Sequence, residues 1–175
     1  IPAVLSGIND PSLIKRGACA AGHKAMYHST WGGLPDEKFL GKLSPKLSLL
    51  RKTLFKEVYA ADQVAGYLSK EWAEDSGLPE GIPIAIGLLD AHYGAIGSGI
   101  KEGTLVKILG TSTCDCVVVK NDAVLPAIEG ISGVAEESIL PGYYGLEAGQ
   151  SAVGDIFKWY KDKICGTEIS YEELE

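Results

Sequence analysis

The sequence lacks a long apolar run, a signal peptide and a basic surface, and each absence excludes a class of protein. No stretch approaches the ~20 consecutive apolar residues that a membrane-spanning helix needs. The first residues also lack the charged-then-apolar pattern of a signal peptide. The formal net charge is -7, so no basic stripe is available to neutralise the phosphates of a nucleic acid or of an anionic membrane. We therefore expect neither as a partner, although an acidic protein can still bind a nucleotide through local backbone dipoles and a metal ion.

Cysteine is also scarce. The four cysteines stand at positions 19, 114, 116 and 165, too few and too irregular for a disulfide framework, so a reducing cytoplasm is the simplest setting. Cys114 and Cys116 form a C-x-C pair that would supply half of a metal site, but no second pair or spaced histidines complete it. On a β-strand both side chains would point to one face, so small buried strand residues are the favoured interpretation and no protein metal site is predicted.

An initiator methionine is missing as well. The chain begins Ile1-Pro2-Ala3 and ends on a polar segment without a stop signal, which is typical of the middle of a longer protein.

The composition that is present is that of an ordinary globular protein. Of the 175 residues, 46% are hydrophobic and 22% are charged, which is enough for one or two small cores.

After a loop-rich start, the first half of the chain reads as a series of helices. The pattern predicts helix starts at Asp36-Glu37 and Ser44-Pro45, a weakly amphipathic run over Leu47–Val58, and a helix over Gln63–Glu74 that is closed by Gly77. In the last of these, Val64, Leu68 and Trp72 would share one side.

Beyond Gly81 the pattern changes to strands, and two of them end in polar residues. The run Ile84–Leu89 leads into Asp90. The run Leu105–Leu109 leads into Gly110-Thr111-Ser112, whose N–H groups and hydroxyls could wrap an anion, and Cys114–Val119 would return as the second strand of a hairpin. A carboxylate at one strand end and a hydroxyl-rich turn at the next suit an enzyme that activates an alcohol beside a phosphate. The plainer alternatives are a helix N-cap for Asp90 and an ordinary hairpin turn for Gly110-Thr111-Ser112.

Two further segments offer binding residues. Lys24 has small neighbours, so its ammonium could approach a ligand, although a solvated surface lysine is the simpler interpretation. Glu147 approaches another strand end, where it could bind a ligand or only cap or pair. Small residues from Ala148 to Asp155 then open a helix that contains Lys158. Such a helix start lets a phosphate approach free N–H groups, unless Gly149 and Gly154 only allow close packing.

These segments carry a resemblance to a known family. The stretches that carry it are Cys19-Ala-Ala-Gly-His-Lys24, Gly32-Gly-Leu-Pro35, Asp90-Ala-His92, Leu105-Val-Lys-Ile-Leu-Gly-Thr-Ser-Thr-Cys-Asp115 and Gly145-Leu-Glu-Ala-Gly-Gln-Ser-Ala-Val-Gly-Asp155. Together, and in this order, they resemble the FGGY carbohydrate kinases. The similarity covers nearly the whole chain.

The resemblance implies an α/β fold of two RNase H-like domains, as in actin-like ATPases, that close on a central cleft. Residues 1–98 would be the last part of the N-terminal, sugar-binding domain, and residues 99–175 would begin the C-terminal, nucleotide-binding domain. Asp90 matches the family's general base, and Lys24 and Glu147 match positions that hold the sugar. The nucleotide side would be contacted by Gly110, Thr111, Ser112, Gly154 and Lys158.

The implied reaction is the phosphorylation of L-ribulose to L-ribulose 5-phosphate by ATP and Mg²⁺, a step of L-arabinose catabolism in the cytoplasm. The family's first phosphate loop and later adenine site are missing here, so we expect this chain alone to be inactive. The alternatives are a kinase for another pentulose or polyol (D-ribulose, xylulose or glycerol), an actin-like or chaperone-like nucleotide-binding protein, and a sugar-binding module without catalysis. A homodimer of the full-length protein is left open.

Overall fold

The computed structural model describes residues 1–126 and 128–174. Its helices are α1 (Pro2–Leu5), α2 (Ala18–Ala25), α3 (Glu37–Leu43), α4 (Pro45–Arg51), α5 (Lys70–Ser76), α6 (Asp90–Gly97) and α7 (Gly154–Tyr160). Its strands are β1 (Val64–Tyr67), β2 (Pro83–Ala85), β3 (Val106–Leu109), β4 (Thr113–Lys120), β5 (Gly133–Glu136) and β6 (Tyr143–Ala148). This mixed composition agrees with the expected α/β class. Within the described residues, every helix is too short or too polar to cross a membrane.

A four-stranded antiparallel sheet organises the second half of the chain, with the strand order β3-β4-β6-β5. β3 and β4 form the predicted hairpin, in which Val106 lies opposite Cys116. β4 then pairs with β6, which places Cys116 opposite Glu147, and β6 pairs with β5, which places Gly133 opposite the same glutamate. Glu147 therefore lies inside the sheet with a strand on each side.

The core of this half lies between α6 and the sheet. Ala95 of α6 packs with Ile100, Val106, Cys116, Val118 and Ile139, all of them buried. Cys116 and Val118 are two residues apart on β4, so both project from the same face of the strand. The packing of this face fixes α6, and with it Asp90 at the helix start, against the sheet.

β1 and β2 form a separate two-stranded antiparallel sheet, with α5 between them in the chain, and Val64 lies opposite Ala85 and Tyr67 opposite Pro83. The helix predicted over Gln63–Glu74 is therefore wrong in its first half, and α5 begins only at Lys70. The reason is tertiary. Gly66 lies against Ser6, whose side chain would overlap a Cβ at position 66. Pairing with β2 makes this segment a strand, although its local periodicity predicts a helix.

The helix boundaries follow local signals more closely. Asp36 caps α3, its Oδ1 accepting a hydrogen bond from the Phe39 N–H at 2.6 Å. Ser44 ends α3 and caps α4, as predicted from Ser44-Pro45. The run Leu47–Val58 is not one helix, however, because α4 ends at Arg51, whose Nε donates to the Pro35 carbonyl at 2.9 Å.

The strand before Asp90 is also shorter than predicted. β2 ends at Ala85, and residues 86–89 form an irregular connection to α6 rather than the rest of a strand over Ile84–Leu89. Gly87 lies in this connection, and glycine weakens a strand because it has no side chain to pack. Asp90 is therefore reached through a short linker instead of standing at the end of a strand.

Candidate functional site

Helix α2 brings His23 and Lys24 to the edge of the four-stranded sheet. The start of the helix is fixed by a hydrogen bond from the Ala18 N–H to the Tyr59 carbonyl at 2.9 Å. A Cβ at Gly22 would lie 2.5 Å from the Cβ of Ala135 in β5, so the helix reaches the sheet this closely because residue 22 has no side chain. Lys24 follows in the last turn and is exposed.

Asp90 is the first residue of α6, and its carboxylate is exposed. Its Oδ1 accepts a hydrogen bond from the Ala91 N–H at 2.8 Å. The N-cap itself is Leu89, so the alternative interpretation of Asp90 as the capping residue is not the observed geometry. A carboxylate in the first turn of a helix interacts favourably with the positive end of the helix dipole.

Glu147 lies at the centre of a buried polar cluster. Its Oε2 is 3.3 Å from Nε2 of His92 and 3.5 Å from Nδ1 of His23. The side chains of His92, His23 and Glu147 are 1%, 7% and 29% exposed, so the carboxylate closes the cluster toward solvent. A Cβ at Gly133, opposite Glu147, would lie 2.7 Å from Nδ1 of His23, which shows how tightly the imidazole is held.

The other ring nitrogen of His92, Nδ1, also has close polar contacts. Its Nδ1 lies 3.0 Å from the carbonyl oxygen of Ser138 and 3.0 Å from Sγ of Cys19. The same sulfur accepts a hydrogen bond from the Leu89 N–H at 3.4 Å. One imidazole therefore connects α2, α6 and the strand that carries Glu147. Lys24 follows His23 directly and Asp90 precedes His92 by two residues, so the cluster joins the three segments that carry the predicted catalytic and sugar-binding residues.

Burial dominates the titration of the groups around Glu147. It lowers the pKa of His23, against the opposing pull of the Glu147 carboxylate. It raises the pKa of Cys19 and of Cys116, and it raises the pKa of Cys114 to about 12. His23 is therefore neutral and the three thiols are protonated near neutral pH.

The turn at residues 110–112 contacts the start of α7. The Val153 N–H donates to the Thr111 carbonyl at 2.8 Å, and the Gly154 N–H donates to the Gly110 carbonyl at 3.1 Å. A Cβ at Gly154 would lie 2.7 Å from that carbonyl oxygen. The structure thus brings Gly110, Thr111 and Gly154 together. These two N–H groups are occupied by protein carbonyls, so a phosphate here would meet the exposed turn and its hydroxyls.

Lys158 lies one helical turn beyond Gly154, on the same face of α7. Its Nζ donates to Oδ2 of Asp162 at 2.6 Å, and this contact raises the pKa of Lys158. The hydrogen bonds from Lys158 and Lys161 hold the pKa of Asp162 at about 2. Lys158 is exposed and does not contact the Glu147 cluster.

Two groups of side chains have the donor atoms of a metal site, one formed by His92, Cys114 and Cys116 and the other by His23, His92 and Glu147. In each group the ligand atoms lie within 4.8 Å of one another. Sequence reasoning assigned no role to His92 or Cys19. The signal that was available for His92 is its place in the stretch Asp90-Ala-His92. For Cys19 the signal is likewise its place in the stretch Cys19-Ala-Ala-Gly-His-Lys24, although the partners of its sulfur lie 70 or more residues away along the chain.

Comparison with known families gives a match in the second half of the chain. Residues 105–175 match the C-terminal domain of the FGGY family of carbohydrate kinases. This region contains β3 to β6 and α7.

Two curated relatives have high sequence identity to the chain. The ribulokinase of Vibrio parahaemolyticus is 50% identical over 174 residues, which is 99% of this chain and 31% of the relative. The ribulokinase of Shouchella clausii is 44% identical over 148 residues, which is 83% of this chain and 26% of the relative. The chain thus spans about a third or less of the length of the relatives it matches.

Solved structures share the fold at lower identity. The xylulose kinase of Rhodospirillum rubrum superposes with a TM-score of 0.57 and 21% identity, covering 69% of this chain and 24% of that protein. A ligand-bound xylulose kinase from Lactobacillus acidophilus gives a TM-score of 0.57 and 16% identity, with 74% of this chain and 26% of that protein covered. At these identities the likeness concerns the fold alone, which is that of the sugar kinases and agrees with the predicted actin-like architecture.

Proposed function

The chain belongs to the FGGY family of carbohydrate kinases, and from this we propose that the protein it forms part of phosphorylates L-ribulose to L-ribulose 5-phosphate with ATP. The observation that carries the proposal is the Glu147 cluster. It joins α2 with Lys24, α6 with Asp90 and the sheet with Glu147, so that two carboxylates and an ammonium lie on three segments fixed to one another. The identity of 50% to a ribulokinase over 99% of the chain supports this choice of sugar.

In the proposed reaction Asp90 is the general base. The sugar hydroxyl oxygen attacks the γ-phosphorus of ATP, the bond from that phosphorus to the leaving oxygen of ADP breaks, and the hydroxyl proton passes to the Asp90 carboxylate. An alcohol is far less acidic than a carboxylic acid, so the proton moves late and the carboxylate mainly orients the attacking oxygen. Asp90 is exposed and anchored at the helix start, which suits that role.

Lys24 and Glu147 would hold the sugar. The Oε2 atom of Glu147 faces the two imidazoles, which fixes the plane of the carboxylate before a ligand arrives. A carboxylate held in this way accepts hydrogen bonds from sugar hydroxyls without first losing side-chain freedom. Lys24 is exposed at the end of α2, where its ammonium can donate to a carbonyl or hydroxyl oxygen.

The nucleotide would bind on the side of the 110–112 turn. We assign its phosphates to Gly110, Thr111 and Ser112, with Gly154 and Lys158 of α7 beside them. The nitrogen and sulfur donors of the Glu147 cluster do not suit Mg²⁺, which prefers oxygen ligands, so the ion would be held largely by the phosphates of ATP. There it would neutralise charge on the transferred group. We further propose that the sugar-binding and nucleotide-binding domains meet near residue 98.

Substitution of Asp90 tests the base assignment. In a full-length protein that carries this sequence, Asp90→Asn is expected to lower kcat by roughly 100- to 10,000-fold at a similar KM for L-ribulose, because the amide keeps the shape but cannot accept the proton. ADP release measures the rate. Asp75→Asn, at another exposed aspartate in α5, is the matched control and should leave kcat unchanged. An Asp90→Asn enzyme that turns over like the wild type would rule out the base.

Substitution of Glu147 tests the sugar site. Glu147→Gln is expected to raise the KM for the sugar by roughly tenfold or more, because a hydrogen bond from the ligand to a charged acceptor contributes about 1.5–3 kcal/mol. The KM for ATP should stay the same. Glu136→Gln is the control, since Glu136 lies on the neighbouring strand and binds only the Tyr144 hydroxyl among the described residues. A common rise of both KM values would place Glu147 outside the sugar site.

The choice of sugar is tested with a panel of acceptors. The proposal expects the highest kcat/KM with L-ribulose, compared with D-ribulose, D-xylulose and glycerol. Preference for any of the other three would keep the kinase assignment but replace the substrate.

A further inference from the structure

The ring of His92 leaves a gap beside Glu147 that a cation could fill. Its Nδ1 lies 3.0 Å from the carbonyl oxygen of Ser138, which can only accept a hydrogen bond. When Nδ1 donates to this carbonyl, Nε2 presents a lone pair to the Oε2 atom of Glu147 at 3.3 Å. A cation between these two acceptors would be attracted to both.

Two sulfur atoms lie beside this gap. Cys114 and Cys116 project from one face of β4, and their Sγ atoms are 3.6 Å apart. The ligand atoms of His92, Cys114 and Cys116 lie within 4.8 Å of one another. Cys116 is also directly opposite Glu147 in the sheet. The fold therefore adds an imidazole nitrogen to the C-x-C pair and places Glu147 on the neighbouring strand beside it.

The distances match those between ligands around a tetrahedral zinc ion. With Zn–S bonds of about 2.3 Å, two sulfurs of a regular tetrahedron are about 3.8 Å apart, and with Zn–N and Zn–O bonds of about 2.0–2.1 Å, a nitrogen and an oxygen are about 3.3–3.4 Å apart. The observed separations are 3.6 Å and 3.3 Å. The hydrogen bond from Nδ1 of His92 to a backbone carbonyl is the usual outer contact of a metal-binding histidine, because it fixes the tautomer that exposes Nε2.

We propose that Cys114, Cys116 and His92 form a binding site for one thiophilic divalent cation, with Zn²⁺ as its representative and with the Glu147 carboxylate, 3.3 Å from Nε2 of His92, as the fourth ligand. Two thiolates and an imidazole favour such an ion over Mg²⁺ or Ca²⁺. Both thiols are protonated in the absence of metal, so binding releases two protons to solvent and leaves the ion bound by two thiolates, a neutral imidazole and a carboxylate. The ion can enter past Cys114 and Glu147, which are only partly buried. The site stands on these side chains alone and does not depend on the proposed kinase function.

The competing arrangement is a proton instead of a metal. In that arrangement a neutral His92 with its hydrogen on Nε2 donates to Glu147, the Cys19 thiol at 3.0 Å donates to Nδ1, and Cys114 and Cys116 remain thiols in contact with each other. The two arrangements differ in whether sulfur coordinates a metal, and absorption spectroscopy detects that bond.

The test is cobalt substitution in a full-length protein that carries this sequence. Added Co²⁺ is expected to give thiolate-to-cobalt charge-transfer absorption and the visible bands of tetrahedral cobalt, and Zn²⁺ should displace it at about one ion per site. Cys114→Ser and Cys116→Ser should remove the charge-transfer bands or weaken binding by at least roughly 10- to 100-fold, the loss seen even for outer partners of metal ligands. Cys165→Ser is the matched control, since Cys165 lies beyond α7 and outside the cluster, and its spectrum should match the wild type.

A second measurement needs no variant. X-ray absorption at the zinc edge of the loaded wild-type protein should show two sulfur and two nitrogen or oxygen neighbours. A cobalt complex without thiolate bands, a zinc ion without sulfur neighbours, or equal loss of binding in the Cys165→Ser protein would overturn the site.

Discussion

At the scale of single residues, the candidate site depends on buried groups whose partners are far away in the sequence. His92 contacts Cys19, Ser138 and Glu147 at once, and none of these contacts is visible in the residues next to it. Asp90, Lys24 and Glu147 were recognisable from the sequence because they occur in stretches that resemble a family. Their roles stay predictions. What the structure adds is that the segments carrying them are joined by one cluster.

The burial of His23 predicts a pH dependence of stability. Burial lowers the pKa of this histidine in the folded state, whereas the unfolded chain binds a proton with a pKa of about 6.5. As pH falls through that value the unfolded state gains protons that the folded state does not, so the free energy of unfolding decreases. The loss ends once the pH is below the pKa in the folded state. We expect the temperature of the thermal midpoint to decrease as the pH is lowered from 7.5 to 5.5. The decrease should be roughly 2–4 °C for each kcal/mol lost from the free energy of unfolding.

The variant His23→Gln isolates this contribution. It should show a smaller fall of the midpoint over the same pH range, because it removes the group that must take up a proton. His28→Gln, at the N-cap of the 3₁₀ turn Ser29–Trp31, is the control and should keep the wild-type pH dependence. Parallel curves for wild type and His23→Gln would rule out His23 as the source of the pH dependence.

At the scale of elements, glycines decide how closely the helices approach the sheet and its turns. Gly22 lets α2 contact β5, and Gly154 lets α7 contact the 110–112 turn. The sequence left open whether Gly154 serves phosphate binding or packing. The hydrogen bond from its N–H to the Gly110 carbonyl shows that it packs, and the proposed contact with the nucleotide then comes from its position beside the turn.

Gly154→Ala is therefore expected to displace α7 from the turn. The added Cβ would lie 2.7 Å from a backbone oxygen that cannot move independently, and overpacking of this kind costs about 1–3 kcal/mol. Denaturant unfolding should show the loss, and the KM for ATP of the full-length protein should rise. Gly97→Ala is the control, because a Cβ at the end of α6 meets nothing within 4 Å; it should be neutral or stabilising by about 0.4–1 kcal/mol. Equal stability of the two variants would mean that the 110–112 turn moves to accommodate the added Cβ without a cost in free energy.

At the scale of the whole molecule, the chain contains the Glu147 cluster and the 110–112 turn but only a part of what its relatives contain. It covers 31% and 26% of the two ribulokinases. Phosphoryl transfer depends on positioning and charge neutralisation from several directions. From the resemblance we expect the first phosphate loop and the adenine site in parts of such kinases that lie outside the stretch matched by this chain.

The 175-residue chain is accordingly expected to show no kinase activity by itself. A coupled assay of ADP release with ATP, Mg²⁺ and L-ribulose should give the background rate of ATP hydrolysis. The full-length protein in the same assay is the positive control. Sugar-dependent turnover by the isolated chain would contradict the prediction and would mean that these residues form a sufficient site.

The sequence by itself determined the helix starts at Asp36 and Ser44, the β3–β4 hairpin and the family, because caps, turns and family motifs are local and depend on residues close together in the chain. It did not determine that residues 64–67 are a strand, that β2 stops at Ala85, or that Cys114 and Cys116 lie beside His92. Those outcomes depend on pairing with β2, on the approach of α6 to the sheet, and on side chains that meet although they lie more than about 20 residues apart in the chain. Only the tertiary structure decides them, because the free energy of such contacts belongs to pairs of elements and leaves no pattern in either one alone.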